Sequence, residues 1–398
     1  MTTSVTTTLD SSILGPEISV APEDHPFRQE FRGWLAEHSP GVAEPLDQDE
    51  KFALRREWQR TLFAGGWAGP AWPQEFGGRG AGPLHQFMYY EELALAHAPY
   101  AVNTGGIALL GPTLMEVGSE ELKARFLPAI LSAEEIYCQG FSEPDAGSDL
   151  ASLRARARLE GEEWVIDGQK TWTTWAQYSD YCFVLCRTDP DSERHRGMTL
   201  LICSMDQPGI TVRPITQISG DPEFCEVFFD GATAPASYAV GGVDDGWNTA
   251  MILFQFERGD QGFTDHARML VHLHDVAIEL REGLAAKRIS APAAAEAGRR
   301  LAGLWTRCQQ LRRFNLRFAV RGEAGESIGM GGSIVNLFWG ELEREIGELS
   351  SEVHGPRGLL LDTAPGHELL ASRAGTIHSG TSEIQRNIIA ERMLGLPR

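Results

Sequence analysis

Small, hydroxyl-bearing and aromatic residues meet in two segments of the chain in combinations that could bind a flat ring system. In the first, Gly147 and its small neighbours let the backbone approach such a ring closely, and the Ser142 hydroxyl can form a hydrogen bond to it. In the second, Trp172 offers an apolar face, and Thr173 and Thr174 offer donors. Taken alone, the first segment could equally well be a simple turn. Trp172 in the second segment could equally well be a core aromatic residue.

A carboxylate and a guanidinium are adjacent at Glu257 and Arg258, after the apolar residues Phe254 and Phe256. Out of context, a structural ion pair on a helix is the commoner interpretation of such a pair. The pair therefore assigns no chemistry until the rest of the chain has been considered.

The six cysteines show no spacing typical of a metal site. Cys182 and Cys186 are separated by three apolar residues, which is the pattern of a strand, and the other cysteines are widely spaced. We expect buried, reduced thiols, no metal, and a cytoplasmic protein.

The periodicity of the apolar residues changes twice, and this divides the chain into the parts that must position these residues. The helical steps of three and four residues dominate 23–135, a period of two appears in 136–245, and the helical period returns in 246–398. Helices, then an antiparallel sheet, then helices make an α+β arrangement. The polar, Thr-rich residues 1–22 are expected to form a flexible tail.

Two patterns within the middle part indicate strands. Arg154, Arg156 and Arg158 alternate with alanines, which predicts a strand with one wet face. Asp167–Gly168 has the composition of a hairpin turn, and it follows a short apolar run.

The formal net charge of −20 argues against a nucleic-acid binder or a protein held on an anionic membrane, because both need a basic surface. One local basic pocket would still suffice for an anionic small ligand. No apolar run of about 20 residues is present, so no transmembrane helix is expected.

Three runs together resemble the signatures of the acyl-CoA dehydrogenase family. They are YCQGFSEPDAGSD at 137–149, GQKTWTT at 168–174 and GTSEIQRN at 380–387. The resemblance covers nearly the whole chain from about residue 26. It implies a helical N-terminal domain, a middle antiparallel β-barrel or sandwich domain, and a C-terminal four-helix bundle.

The same resemblance implies FAD-dependent α,β-dehydrogenation of an acyl-CoA thioester, with electrons passed to an electron-transfer flavoprotein. A base removes the α-proton while the β-hydrogen leaves as a hydride. Ser148, Arg258 and Gly380 would contact the substrate. The residues expected to bind FAD are Gln139, Phe141, Ser142, Gly147, Ser148, Trp172, Thr173, Thr174, Thr381, Glu383 and Gln385.

Two positions hold the base in the family. One precedes the Gly-Thr of the last run and is Ser379 here, whose hydroxyl is too weak a base unaided, although its backbone N–H could polarise the substrate carbonyl. The other precedes an arginine and is Glu257, beside Arg258. Apolar surroundings would raise the pKa of that carboxylate, so we expect Glu257 to be the base, with His378 as a rival.

Two segments that serve a neighbouring subunit's FAD in relatives depart from the family pattern. At 280–288 the expected Phe-Gly is missing, and at 352–358 a Glu replaces Gln and a Pro removes a backbone donor. We expect either a hetero-oligomer with a similar chain or a homo-oligomer with altered contacts to the FAD pyrophosphate, in which Arg281 or Arg357 could take part. Some bacterial relatives that act on bulky, steroid-like acyl-CoAs are heteromeric.

Two alternatives remain. One is a flavin monooxygenase on the same fold, which Glu257 disfavours because such relatives usually lack a carboxylate at either base position. The other is a non-catalytic partner subunit of a heteromeric dehydrogenase, which would need neither Glu257 nor intact flavin-contacting segments.

Overall fold

The structure is a computed structural model of the 398-residue chain. It describes residues 14, 19–326, 329 and 331–397, except for the side chains of 257–264. Within these residues the chain forms helices, then one sheet, then helices, which is the predicted α+β arrangement.

The N-terminal helices enclose an aromatic core. They are α1 (Pro26–His38), α2 (Gln48–Ala64), α3 (Pro83–Leu95), α4 (Gly111–Val117) and α5 (Glu120–Ser132). Asp47 fixes the start of α2, because its carboxylate accepts the N–H of Glu50 at 3.0 Å. Phe31 and Leu35, four residues apart on α1, are fully buried, so the predicted apolar face does point inward.

The middle part is an eight-stranded sheet. Its strands are β1 (Tyr137–Gly140), β2 (Arg156–Glu160), β3 (Glu163–Thr174), β4 (Tyr181–Arg187), β5 (Met198–Ser204), β6 (Ile210–Ile215), β7 (Phe224–Pro235) and β8 (Ala239–Val240). The order is β6-β7-β3-β2-β4-β5-β8, with β1 paired to β4. Most pairings are antiparallel, and β4 pairs in parallel with β1 and β2.

The cysteines of the chain and the arginines of β2 behave as their patterns indicate. All six cysteines of the chain are buried, and burial raises the pKa of the Cys186 and Cys203 thiols to about 12. On β2, Ala157 is buried whereas Arg156 and Arg158 are exposed, so this strand has the predicted wet face.

The prediction of a hairpin turn at Asp167–Gly168 is wrong. Both residues lie inside β3, and the chain reverses instead at Gly161, which has a positive φ of 66°. Gly168 is required for a different reason: a Cβ there would lie 2.7 Å from the Ala155 backbone. The pairing of β3 with β7 shifts register just before it, between Ile166 and Asp167.

The C-terminal helices pack around a second apolar core. They are α6 (Gly246–Ala285), α7 (Ala291–Glu323), α8 (Gly331–His354), α9 (Ala364–Ala371) and α10 (Ser382–Ile388). Leu273, Leu304 and Leu342, from the three long helices, are buried together in this core. Ala94 and Leu95 of α3 also belong to it, so the N-terminal helices pack directly on the C-terminal ones.

The expected flexible tail is wrong at two residues. Leu14 is only 2% exposed, its side chain lies in the C-terminal core, and its carbonyl oxygen accepts from Gln309 Nε2 at 2.5 Å and Arg312 at 3.0 Å. Ala21 is also buried. An apolar side chain within a polar segment found an apolar site, and two side-chain donors satisfy the buried carbonyl.

One small polar junction ties the three parts of the chain together. The Asp221 carboxylate, in the loop between β6 and β7, accepts from Gln48 Nε2 of α2 at 2.7 Å. Its other oxygen lies 2.6 Å from His367 Nε2 of α9 and accepts from the Ser219 hydroxyl at 2.9 Å. Although burial opposes the charge, these contacts lower the pKa of Asp221 to about 2.

Candidate active site

The loop after β1 is fixed to β3 by a buried ion pair. Lys170 Nζ lies 2.8 Å from Glu143 Oε1 and also donates to the Phe141 carbonyl at 3.0 Å. The N–H of Thr171 donates to the Ser142 carbonyl at 2.9 Å. These bonds bring the first two candidate segments into direct contact, which sequence spacing alone could not establish.

Trp172 is displaced from the regular strand. The pairing of β3 with β7 shifts register between Lys170 and Thr173, and Trp172 within the shift has a left-handed φ of 58°. Its side chain is 58% exposed and meets Phe224 edge to face, with the ring centroids 6.1 Å apart. A large apolar face is therefore presented to solvent on a strained backbone.

The two threonines after Trp172 point in different directions. Thr173 is fully buried, and its Oγ1 has no hydrogen-bond partner in the described part of the chain. Thr174 is exposed. Trp175 follows with a second left-handed φ of 52°. A buried hydroxyl without a partner is costly, so it indicates a polar atom supplied from outside the chain.

The other candidate residues of the first segment differ in how far they are exposed to solvent. Phe141 is buried, where its ring meets Phe183 and Phe254 edge to face. Gln139 and Ser142 are half-buried, and Gly147 and Ser148 are exposed in the following loop. A Cβ added at Gly147 would meet nothing within 4 Å, so the space beside it is open.

The third segment folds around Gln385. This side chain is 3% exposed, and its Nε2 donates to the carbonyls of Ser379 at 2.9 Å and Gly380 at 3.3 Å. Its Oε1 has no hydrogen-bond partner among the described residues. Ser379 and Gly380 have left-handed φ angles of 53° and 95°.

Thr381 and Glu383 complete this segment. The Thr381 hydroxyl caps α10 by accepting from the N–H of Ile384 at 3.2 Å. Glu383 is exposed and lies 3.7 Å from Arg386 on the same helix. The C-terminal candidates are thus ordered on one short helix and the turn before it.

Two further titratable groups lie near this turn. The Glu343 carboxylate of α8 lies against Gly375, and burial raises its pKa to about 7. The sequence analysis missed Glu343, since nothing in the sequence near residue 343 distinguishes it from other helix carboxylates. Burial lowers the pKa of His378, whose ring centroid lies 5.2 Å from that of Trp339.

The side chains of Glu257 and Arg258 lie outside the described residues. The helix that carries them is nonetheless placed beside the first segment, because Phe254 of α6 meets Phe141 at 5.7 Å between centroids. In the described part of the chain, no three His, Cys, Asp or Glu side chains are grouped so that they could hold a metal ion. None of the helices described there combines the length and the hydropathy that a membrane span requires.

Three consecutive family models match the chain. They are described as acyl-CoA dehydrogenase N-terminal domain over residues 21–134, middle domain over 138–232 and C-terminal domain over 244–394.

Two relatives from Mycobacterium tuberculosis match over almost the full length. The acyl-CoA dehydrogenase IpdE1 is 43% identical over 386 residues, with 94% of this chain and 97% of that protein covered. The acyl-CoA dehydrogenase FadE29 is 30% identical over 394 residues, with 96% and 99% covered.

Two solved structures are similar in fold to this chain. The steroid ACAD Tcur3481-Tcur3483 has a TM-score of 0.80 at 28% identity, covering 93% of this chain and 97% of that chain. The ChsE4-ChsE5 complex from Mycobacterium tuberculosis has a TM-score of 0.78 at 28% identity, covering 96% and 100%.

Proposed function

Because the chain belongs to the acyl-CoA dehydrogenase family, we propose that it desaturates an acyl-CoA between the α and β carbons, with Glu257 as the base. The general activity, flavin-dependent dehydrogenation of an acyl-CoA, is that of the family. The specific proposal concerns how this chain carries it out. The α-proton passes to the Glu257 carboxylate, and the β-hydrogen departs with its electron pair as a hydride.

The observation that carries the proposal is the geometry around Thr173. A buried hydroxyl without a partner follows a strained, exposed tryptophan, and a second orphaned acceptor, Gln385 Oε1, lies in the C-terminal segment. A flat heteroaromatic ligand with hydrogen-bonding edges would use the Trp172 ring and the Thr173 hydroxyl. FAD, the cofactor of the family, has this character and supplies the hydride acceptor when bound.

The residues that would hold FAD are those singled out from the sequence. Trp172 would cover one face of the ring system, and Thr173, Thr174 and Ser142 would supply hydrogen bonds. The remaining positions proposed to line the cofactor are Gln139, Phe141, Gly147, Ser148, Thr381, Glu383 and Gln385. Ser148 and Gly380 would also contact the acyl-CoA.

Glu257 is preferred to the other candidate bases on chemical grounds. The Ser379 hydroxyl is too weak, and we assign to Ser379 only a backbone N–H for the thioester carbonyl. Arg258 is proposed to contact the substrate. Glu343 has a raised pKa, but it lies against Gly375 and beside His272 and Glu368, on the α8 side of the turn.

Substituting each carboxylate tests the assignment. Glu257→Gln is expected to lower the rate of flavin reduction by acyl-CoA by at least about 100-fold while FAD remains bound. Glu343→Gln and His378→Asn are the matched controls and are expected to retain most of the rate. If Glu257→Gln retained full activity in the assembled enzyme, the chain would be a non-catalytic partner or would use another base.

We further propose that a second, similar chain completes the enzyme. Leu359, Leu360 and Leu361 are at least half exposed, and they follow directly on the altered segment 352–358. Three consecutive exposed leucines are a surface that another chain would cover. The ChsE4-ChsE5 structure is a complex of two named components, which favours an unlike partner over a second copy.

The visible spectrum of the chain purified alone tests this proposal. A colourless protein, or far less than one FAD per chain, is expected if an unlike partner completes the cofactor site. One FAD per chain with a single species in solution would instead favour a homo-oligomer, and the altered segments would then still close the site.

The acyl group and the electron acceptor are proposed from resemblance. We propose a bulky, polycyclic acyl-CoA as substrate, because a matching structure is described as a steroid ACAD, and an electron-transfer flavoprotein as acceptor. A panel of CoA esters with a dye as acceptor tests the first point. Turnover restricted to short straight-chain esters would exclude a bulky substrate, and rapid consumption of oxygen with hydroxylated product would favour the monooxygenase.

A further inference from the structure

The ion pair between Lys170 and Glu143 is buried almost completely. Lys170 is 0% exposed and Glu143 is 8% exposed. The carboxylate is fully engaged: Oε1 also accepts from the N–H of Ala155 at 2.8 Å, and Oε2 accepts from the N–H of Arg154 at 2.7 Å. Glu143 thereby links the start of the 143–155 loop to its end, and Lys170 ties Glu143 to β3.

Burying two charges is an expensive way to hold two segments together. Desolvation offsets much of the attraction, and a well-packed apolar pair of similar volume often stabilises a fold equally well. Stability alone therefore does not account for this pair. An apolar pair could not fix the orientation of the two side chains. Here three nitrogen atoms donate to the Glu143 carboxylate and Lys170 donates to two oxygen atoms, so both side chains are held in a defined orientation.

The pair acts at the junction of the segments proposed to bind FAD. Lys170 Nζ also donates to the Phe141 carbonyl at 3.0 Å, and the N–H of Thr171 donates to the Ser142 carbonyl at 2.9 Å. The Lys170 stem passes close to Gly140, where an added Cβ would lie 3.5 Å from it and 2.8 Å from Cys182 Sγ. The register shift that exposes Trp172 begins at Lys170 itself.

We propose that Lys170 and Glu143 are positioning residues of the cofactor site. Because both side chains are buried, neither is proposed to touch the cofactor. The pair sets the distance between the Ser142 hydroxyl and the Trp172 ring, so that both segments meet a single flat ligand, and it closes the loop that carries Gly147 and Ser148. This inference rests on the proposed function, because it assumes that these two segments bind FAD.

Charge-removing variants of the assembled enzyme test the inference. Lys170→Met is expected to weaken FAD binding by about 10-fold or more and to lower kcat more than it raises KM for the acyl-CoA. Glu143→Gln combined with Lys170→Met removes both charges, so the stability should recover, yet FAD binding should stay weak. FAD affinity is measured by titrating the apoprotein, and thermal stability is measured on the same samples.

A buried charge elsewhere provides the control. Arg28 of α1 is also buried and pairs with Glu91 and Glu92, away from the candidate cofactor segments. Arg28→Met is expected to lower Tm without changing the affinity for FAD. A purely structural role for Lys170 would give the same pattern.

The outcomes distinguish a failure of the positioning role from a failure of the proposed function. If the double variant bound FAD and turned over like the wild type, or if Lys170→Met behaved like Arg28→Met, the positioning role would be wrong and the proposed function would stand. If the assembled wild type bound no FAD, the proposed function would fail and this inference with it.

Discussion

Trp172 and Trp175 have left-handed backbone angles that bulky side chains seldom adopt. Each such residue costs on the order of 1–2 kcal/mol, and it persists only where the surrounding structure imposes it. The two flank Thr173, whose buried hydroxyl has no partner among the described residues. Strain and an unsatisfied polar group thus coincide within four residues, which is typical of a functional site and unusual for a merely structural strand.

A pair of substitutions at Trp172 separates the strain from the ring. Trp172→Gly and Trp172→Ala both remove the ring, but only glycine relieves the left-handed angle. We expect the glycine variant to be more stable than the alanine variant by about 1 kcal/mol, with FAD binding weakened equally in both. Denaturant unfolding of the two apoproteins measures the difference, and equal stability would show that the angle carries no strain.

Glu343 gives the protein a pH-dependent stability of a defined sign. Burial raises its pKa from 4.5 to about 7, with His272 opposing and Glu368 assisting the shift. Between these two values the folded chain holds a proton that the unfolded chain has released. The stabilising contribution is therefore complete below about pH 4.5 and is lost as the pH rises through 7.

Glu343→Gln should remove this dependence. Relative to the wild type, the variant is expected to gain thermal stability between pH 5 and pH 8, since it no longer has a buried carboxyl to ionise. Melting temperatures at a series of pH values test this. The exposed Glu296 offers a control, because Glu296→Gln should leave the pH profile unchanged. If the melting temperature of the Glu343→Gln variant differed from that of the wild type by the same amount at every pH, the raised pKa assigned to Glu343 would be wrong.

At the scale of elements, the 216–223 loop connects parts of the chain that carry different candidate residues. Asp221 in this loop binds α2 and α9, and the loop leads directly into Phe224, which packs against Trp172. α9 in turn precedes the turn that contains Ser379. The loop thus joins the strand that contacts Trp172 to the helix that precedes the C-terminal segment.

Asp221→Asn should loosen this junction. The carboxylate is about 10% exposed, and three side chains form hydrogen bonds to it, so its replacement weakens several buried hydrogen bonds at once. We expect a loss of about 1–3 kcal/mol, seen as a lower Tm. Breaking the exposed Glu296–Arg299 pair on α7 should cost less than about 0.5 kcal/mol and serves as the control. Equal effects would show that the junction is not a structural tie.

The elements themselves could largely be predicted from sequence, for physical reasons. An apolar face recurs every three to four residues on α1, and alternation gave the wet face of β2. Asp167–Gly168 failed because the same residues that form tight turns also permit bulges and close approach inside a strand. Turn-forming residues indicate which backbone angles a position can adopt. They do not indicate whether a neighbouring strand pairs with that position.

Contacts between elements could not be predicted in this way. The Lys170–Glu143 pair joins residues 27 positions apart, on β3 and on the loop after β1, two segments that are not paired in the sheet. Likewise, no pattern marks Thr173 as buried without a partner, or Glu343 as desolvated. Motif resemblance located the candidate segments, whereas their mutual positions follow from packing that a single sequence does not display.

For the whole molecule, the distribution of exposed apolar residues is uneven. Leu359 is 73% exposed, Ile377 63% and Leu394 67%, all in the C-terminal part of the chain. With a net charge of −20, the chain as a whole repels its copies, so specific association needs such a local apolar surface.

Leu359→Asp is expected to abolish association with the partner chain and to lower FAD occupancy in the co-purified enzyme. Leu159→Asp, at a 51% exposed leucine of β2, is the matched control and should assemble normally. Light scattering after gel filtration reports the assembly. Normal assembly of the Leu359→Asp variant would place the interface elsewhere.

Leu14 has a consequence for the order in which the molecule is completed. Its carbonyl binds Gln309, a residue 295 positions later in the chain. At a ribosomal rate of about 5–20 residues per second, roughly 15–60 seconds separate the synthesis of Leu14 from that of its binding site. During that interval the apolar Leu14 side chain has no site to occupy. Docking of Leu14 is therefore a late event, and it reports that α7 has folded.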